Sequence, residues 1–188
     1  CGSGTFLLEA ALMAHDIAPG LVRKFGFFRL ANFEAALWQK LLTEAEERRQ
    51  PATPQPIFGS DISQDQVERA RQNLAAAGMH ESVRLECADL LQRNPPTTAG
   101  VLIANPPYGV RLEEAEWLAA FYPRLGDTLK QRFAGWRCYF ISADPQMPKL
   151  IGLKASKRTP LFNGALECRL LEYRMISGQM RGKLAPFP

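Results

Sequence analysis

The feature that most constrains this chain is a regular alternation of short apolar runs with helical stretches. Ile57–Asp61, Val83–Cys87, Val101–Ala104 and Arg137–Ser142 have strand length and strand patterning. The segment between the first two reads as a helix. Ser63 and Gln66 have capping-box spacing, Val67, Ala70 and Leu74 share one face, and Gly78 stands where a helix-ending glycine belongs. Near the far end, Asn163-Gly164 signals a hairpin, and Leu166, Cys168 and Leu170 alternate with Glu167 and Arg169 after it. Strand and helix in alternation, closed by a hairpin, predict an α/β fold: a three-layer, Rossmann-like, mostly parallel sheet with an antiparallel end.

Other segments fill in that outline. Thr5–His15 is apolar on nearly every side, which predicts a helix buried between layers, stopped by Pro19 and Gly20. A basic and aromatic segment, Arg23–Leu30, precedes a second helix from Phe33 to Arg49, and Pro51, Pro54 and Pro56 mark a linker. A helical region from Glu113 to Phe133 is expected to bury Trp117, Phe121, Leu125 and Leu129 and to be broken or kinked at Pro123. With 188 residues, 46% hydrophobic and 22% charged, the chain suits one globular domain, 1–188, and not a disordered or coiled-coil segment. No apolar run approaches the ~20 residues of a membrane-spanning helix. The four cysteines include no C-x-x-C pair and His15 and His80 are isolated, so no metal site is expected. Free thiols fit a reducing cytoplasm.

Three motifs carry chemistry. Cys1-Gly2-Ser3-Gly4-Thr5 runs straight into a helix, where glycines allow close approach of a ligand and the helix start offers free N–H groups. The third glycine of the dinucleotide fingerprint is replaced by Leu7, and no P-loop lysine follows. Asp61, followed by Ile62, and Asp89 close two strands, the place where α/β folds bind ribose and base. Asn105-Pro106-Pro107-Tyr108 follows the strand Val101–Ala104. An Asn oxygen and a proline carbonyl accept both hydrogens of one exocyclic amino group, and a tyrosine offers a face on which a base stacks.

In this combination the chain resembles the class I S-adenosylmethionine-dependent methyltransferases that methylate amino groups. More narrowly it is similar to the bacterial 23S ribosomal RNA guanine-N2 methyltransferases, often described as N6-DNA methylases. The stretches Ile17–Gly20, Phe25–Arg29, Gly126–Trp136 and Leu153–Cys168 carry the narrower likeness. The resemblance implies S-adenosylmethionine as cofactor, with Gly2, Ser3, Gly4 and Thr5 at its methionine end, Asp61 and Ile62 at its ribose and Asp89 at its adenine. It implies that Asn105, Pro106, Pro107 and Tyr108 hold the target base, with 23S ribosomal RNA as partner. Family members also carry a strand and an RNA-binding THUMP domain ahead of the glycine motif, so an N-terminally truncated domain is expected here. Asp61 lies 57 residues after Gly4, and an insertion over 17–55 accounts for that spacing.

Charge is uneven along the chain. Residues 1–100 carry a balance of −2, and residues 149–188 one of +6. A basic end suits a polyanion. Arg23, Lys24 and Arg29 in the insertion, with Lys154, Lys157 and Arg158 near the hairpin, are candidate phosphate contacts; a solvated surface with the aromatics as core is the competing reading. The NPPY segment grips adenine N6 as readily as guanine N2, so DNA adenine methylation stays open. So does a non-catalytic RNA-binding module that keeps the fold.

Overall fold

The computed structural model describes residues 1–21, 23–107 and 112–176. The chain forms two compact units, Cys1–Asp89 and Leu90–Pro188.

The first unit contains α1 (Thr5–Ala14), α2 (Ala35–Arg48), β1 (Ile57–Asp61), α3 (Gln64–Ala76) and β2 (Val83–Cys87), with 3-10 turns at Gly26–Arg29 and His80–Ser82. β1 and β2 are parallel, in register from Ile57↔Val83 to Asp61↔Cys87. The expected cap is present: Ser63 Oγ accepts the Gln66 N–H at 3.5 Å. The Ser63 N–H, which a capping-box glutamine would accept, goes instead to Asp61 Oδ1 at 3.0 Å. At the other end Gly78 holds φ +70°, its N–H bonds Ala75 O at 3.0 Å, and the Met79 N–H bonds Leu74 O at 2.7 Å. That is a Schellman ending. α1 closes the same way with Asp16 in the left-handed position at φ 50°, its carboxylate held by Arg48 at 2.8 and 3.0 Å.

The core of this unit is Ala11, Leu74, Met79 and Val83, with Leu7, Leu8, Leu12, Ile57 and Leu85 packed around it. At Gly59 on β1 the missing Cβ makes room for the methyls of Leu7 and Leu85. α1 is less enclosed than its composition predicts. Ala11 is its one fully buried residue and Met13 is 79% exposed. Among the described residues of its own unit, α1 packs mainly on β1 and α3. The insertion forms an aromatic cluster: Phe25, Phe27, Phe28, Phe33 and Trp38 meet at centroid distances of 4.9 to 6.0 Å.

The second unit contains β3 (Val101–Ala104), α4 (Leu112–Arg132), β4 (Arg137–Ser142), a one-turn α5 (Met147–Leu150), β5 (Lys157–Asn163) and β6 (Leu166–Arg174). Its sheet runs β3-β4-β6-β5, with β3 parallel to β4 and both β6 pairings antiparallel. All strands appear where the sequence places them. Asn163 pairs with Leu166, so the hairpin loop is Gly164-Ala165. Gly164 has φ +62° and Ala165 is not among the positive-φ residues, the pattern of a type II′ turn.

α4 buries Leu118, Tyr122, Leu125 and Leu129 against Cys138, Phe140, Leu171 and Tyr173. The expected burial of this helix fails at two positions. Trp117 is exposed and Phe121 only half-buried. An unbroken i+4 series drifts around a 3.6-residue helix by about 40° per step, so the buried stripe must also use an i+3 step. The helix also runs through Pro123 without a break, forgoing the one bond whose N–H proline lacks. Among the described residues no helix is long and apolar enough to cross a membrane.

Gly78 isolates a backbone effect, because a Cβ there meets nothing within 4 Å. Gly78→Ala should lose about 1 kcal/mol for placing a side chain in the left-handed region, and Gly78→Asn should lose less. Chemical denaturation of the two variants checks the order.

Candidate functional site

The first unit assembles the glycine turn, Asp61, Ile62 and Asp89. Asp61 ends β1, and its Oδ2 accepts the Gly2 N–H at 2.9 Å and a hydrogen bond from the Cys1 nitrogen at 2.8 Å. The glycine turn is thus bonded to the end of the strand that the sequence places 57 residues away. Burial pushes the Asp61 carboxyl upward. The hydrogen bonds from the Cys1 nitrogen and from the Ser63 and Gly2 N–H groups outweigh it and lower the pKa.

The two glycines do different work. Gly4, at φ +84°, abuts α3: a Cβ there would sit 2.9 Å from Ala70 Cβ. Gly2, at φ +53°, faces open space. Asn73 on α3 donates to Ser3 O at 2.8 Å and fixes the turn from its other side. Sequence reading missed Asn73, whose position on the third turn of α3 carries no motif. Thr5 opens α1. Ile62 is 75% exposed beside Asp61 and presents apolar surface. The Ala88 N–H bonds Asp61 O at 2.9 Å, which sets the half-buried Asp89 in the segment leaving β2. Among the described residues these groups make one cradle: free-facing Gly2, a carboxylate, and an exposed apolar side chain.

In the second unit Asn105, Pro106 and Pro107 leave the end of β3, with Asn105 and Pro107 exposed and Pro106 half-buried. Tyr108 lies outside the described residues. An exposed Asn beside a proline carbonyl suits acceptance of an exocyclic amine.

The candidate phosphate contacts are less coherent. Arg23, Lys24 and Arg29 are exposed, but the Arg23 guanidinium lies over the Phe25 ring at 5.7 Å, and the neighbouring phenylalanines pack on one another. Lys154 is exposed before β5. Lys157 and Arg158 are consecutive on that strand and point to opposite faces. Lys157 stands opposite Glu172. The Arg174 hydrogen bond lowers the Glu172 pKa; burial opposes this, and the charges of Arg174, Arg137 and Lys157 add to the lowering. Part of the basic end therefore balances a carboxylate on the sheet.

The solved structures that share this fold are class I methyltransferases. SMU.472, whose crystal structure was solved as a complex with SAH, superposes with a TM-score of 0.84 at 32% identity over 95% of this chain and 47% of its own. The structure named as a predicted N6-adenine-specific DNA methylase from Listeria monocytogenes gives 0.79 at 31% identity, over 93% of this chain and 45% of its own. The ribosomal RNA large subunit methyltransferase K/L of Shewanella baltica is 41% identical over 185 residues. That match takes in 96% of this chain and 26% of the relative, so the chain spans about a quarter of that protein's length. Residues 1–172 match the UPF0020 family, RMKL-like, methyltransferase domain. The chain belongs to that family.

The lowered Asp61 pKa has a defined consequence. A carboxylate depressed in the folded state stabilises it above the unfolded value, near 3.8, and the contribution is lost as pH falls through the lower folded value. Asp61→Asn should therefore be less stable than the parent at neutral pH, and the gap should narrow on acidification through that window. Denaturation curves that stay parallel down to acid pH would remove Asp61 from its clamping role.

Proposed function

We propose that this chain transfers a methyl group from S-adenosylmethionine to the exocyclic N2 amino group of a guanine in 23S ribosomal RNA. The observation that carries the proposal is the 41% identity, over 96% of the chain, to a protein named for methylating large-subunit ribosomal RNA.

The residues of the first unit fit the cofactor. Gly2 faces open space, and Asp61 has used three of its roughly four acceptor positions, which leaves one for a ribose hydroxyl. Ser3, Gly4 and Thr5 shape the turn beneath the methionine end, Ile62 lends apolar surface to the nucleoside, and Asp89 is the proposed acceptor for the adenine amine. When bound, the cofactor supplies an electrophilic methyl on a sulfonium.

The second unit prepares the nucleophile. An exocyclic amine is a poor nucleophile because its lone pair is delocalised into the ring. The Asn105 side-chain oxygen and the Pro106 carbonyl accept its two hydrogens and favour a pyramidal nitrogen, so they bind the transition state better than the ground state. Pro107 fixes the backbone between them and Tyr108, which stacks on a base swung out of its helix. Positioning and preorganised acceptors provide the rate enhancement that this chain's residues contribute.

Arg23, Lys24, Arg29, Lys154, Lys157 and Arg158 are proposed to contact the RNA backbone, singly and not as one patch. The setting proposed is cytoplasmic. An upstream strand and a THUMP-like RNA-binding domain complete the proposal. The free outer edge of β3 supports the strand, since it has no partner among the described residues and Val101 beside it is 64% exposed. DNA adenine-N6 methylation is the second reading, favoured by the name of the Listeria neighbour.

Asn105→Ala should slow single-turnover methyl transfer by roughly 10²–10³, by analogy with loss of one oxyanion-hole donor, while cofactor affinity stays within a few-fold. Rapid-quench assays with saturating RNA, beside calorimetry of cofactor binding, separate the two effects. Methyl transfer at the parental rate would make Asn105 part of a turn and no more.

A further inference from the structure

Trp117 is out of place as a structural residue. It is 55% exposed on a helix whose core-facing stripe is supplied by its neighbours Leu118, Tyr122 and Leu125. Yet its indole is held in one orientation, stacked on the Phe121 ring at 4.8 Å with 12° between the planes. Phe121 in turn packs against the buried cluster of the second unit. One indole face is thus taken by an anchored ring and the other side of the residue is left to solvent.

The surroundings indicate what this platform accepts. The nearby exposed helix positions Glu116, Ala119 and Ala120 supply no apolar stripe of the kind a protein helix would need. Arg124 lies seven residues on, two helical turns and about 10 Å along the axis, close to the same azimuth as Trp117. It is exposed, and no ion pair or hydrogen bond ties it down among the described residues. A flat aromatic face with a cation one nucleotide's reach away is complementary to a base and its phosphate. α4 is also the helix that follows Asn105-Pro106-Pro107 in the chain.

The geometry points to Trp117 and Arg124 as a nucleotide-binding stripe on α4, where an unpaired base of the RNA substrate stacks on Trp117 and its phosphate meets Arg124. The inference rests on the RNA methyltransferase reading above and adds a contact outside the amine-gripping segment.

The test uses the full-length protein and a labelled single-stranded oligoribonucleotide of about ten nucleotides, with affinity read by fluorescence anisotropy across a salt series. Trp117→Leu should weaken binding roughly 5- to 150-fold and leave the salt slope unchanged, because stacking releases no counterions. Trp117→Phe, which keeps a ring, should recover most of that loss. Arg124→Gln should lower the slope of log affinity on log salt by about 0.7, the value of one phosphate contact on a single strand. Equal losses for Trp117→Leu and Trp117→Phe would mark plain apolar surface, such as a protein contact, and overturn the inference. So would an unchanged slope in Arg124→Gln. Parental protein that neither binds nor methylates RNA would instead overturn the underlying RNA reading, while parental binding with unaffected variants would sink the α4 stripe alone.

Discussion

A single carboxylate organises the first unit. Asp61 receives N–H groups from the glycine turn that leads into α1 and from Ser63 at the start of α3. Two helix starts, each with unsatisfied N–H groups and a positive dipole end, are thereby tied to one strand end. These contacts, with the hydrogen bond from the Cys1 nitrogen, lower its pKa against the opposing effect of burial. Gly4 makes the arrangement sterically feasible by letting the turn lie against Ala70, and Asn73 secures the turn from behind. The position of the glycine turn follows from that one group.

The second unit is built on packing instead. α4 lays Leu118, Tyr122, Leu125 and Leu129 across β4 and β6, and Gly126 lets it approach the Ile151 carbonyl, where any Cβ would collide. Removing one fully buried leucine from such a seam typically costs 2–5 kcal/mol. Burial pushes the Cys138 thiol up to about 12, which keeps it an inert core group at neutral pH. Around the bend after β4, Asp144 accepts from the Tyr122 hydroxyl at 3.0 Å and from the Gln146 N–H at 2.8 Å. β4 of this seam pairs with β3, and β3 delivers Asn105 and Pro106 at its end.

The strands were legible because each is a short run bounded by polar or turn residues, and α3 because its cap, stripe and terminal glycine agree. Trp117 and Phe121 fall off the buried face of α4, since evenly spaced i+4 residues look like a stripe in sequence and spiral off it in three dimensions. The residue types of the site were legible from local motifs. Its connections were not: the Gly2–Asp61 and Ser3–Asn73 bonds join positions 59 and 70 residues apart, and no local pattern encodes such a pairing. The regrouping of Lys157 with Glu172 depends on β5–β6 register, which charge counting does not carry.

The central claim is the chemistry of the product. Unmethylated 23S ribosomal RNA incubated with the protein and S-adenosylmethionine, then digested to nucleosides and analysed by mass spectrometry, should gain N2-methylguanosine and nothing else. A gain of N6-methyladenosine, or no methylated nucleoside from protein shown to bind the cofactor, would contradict the account.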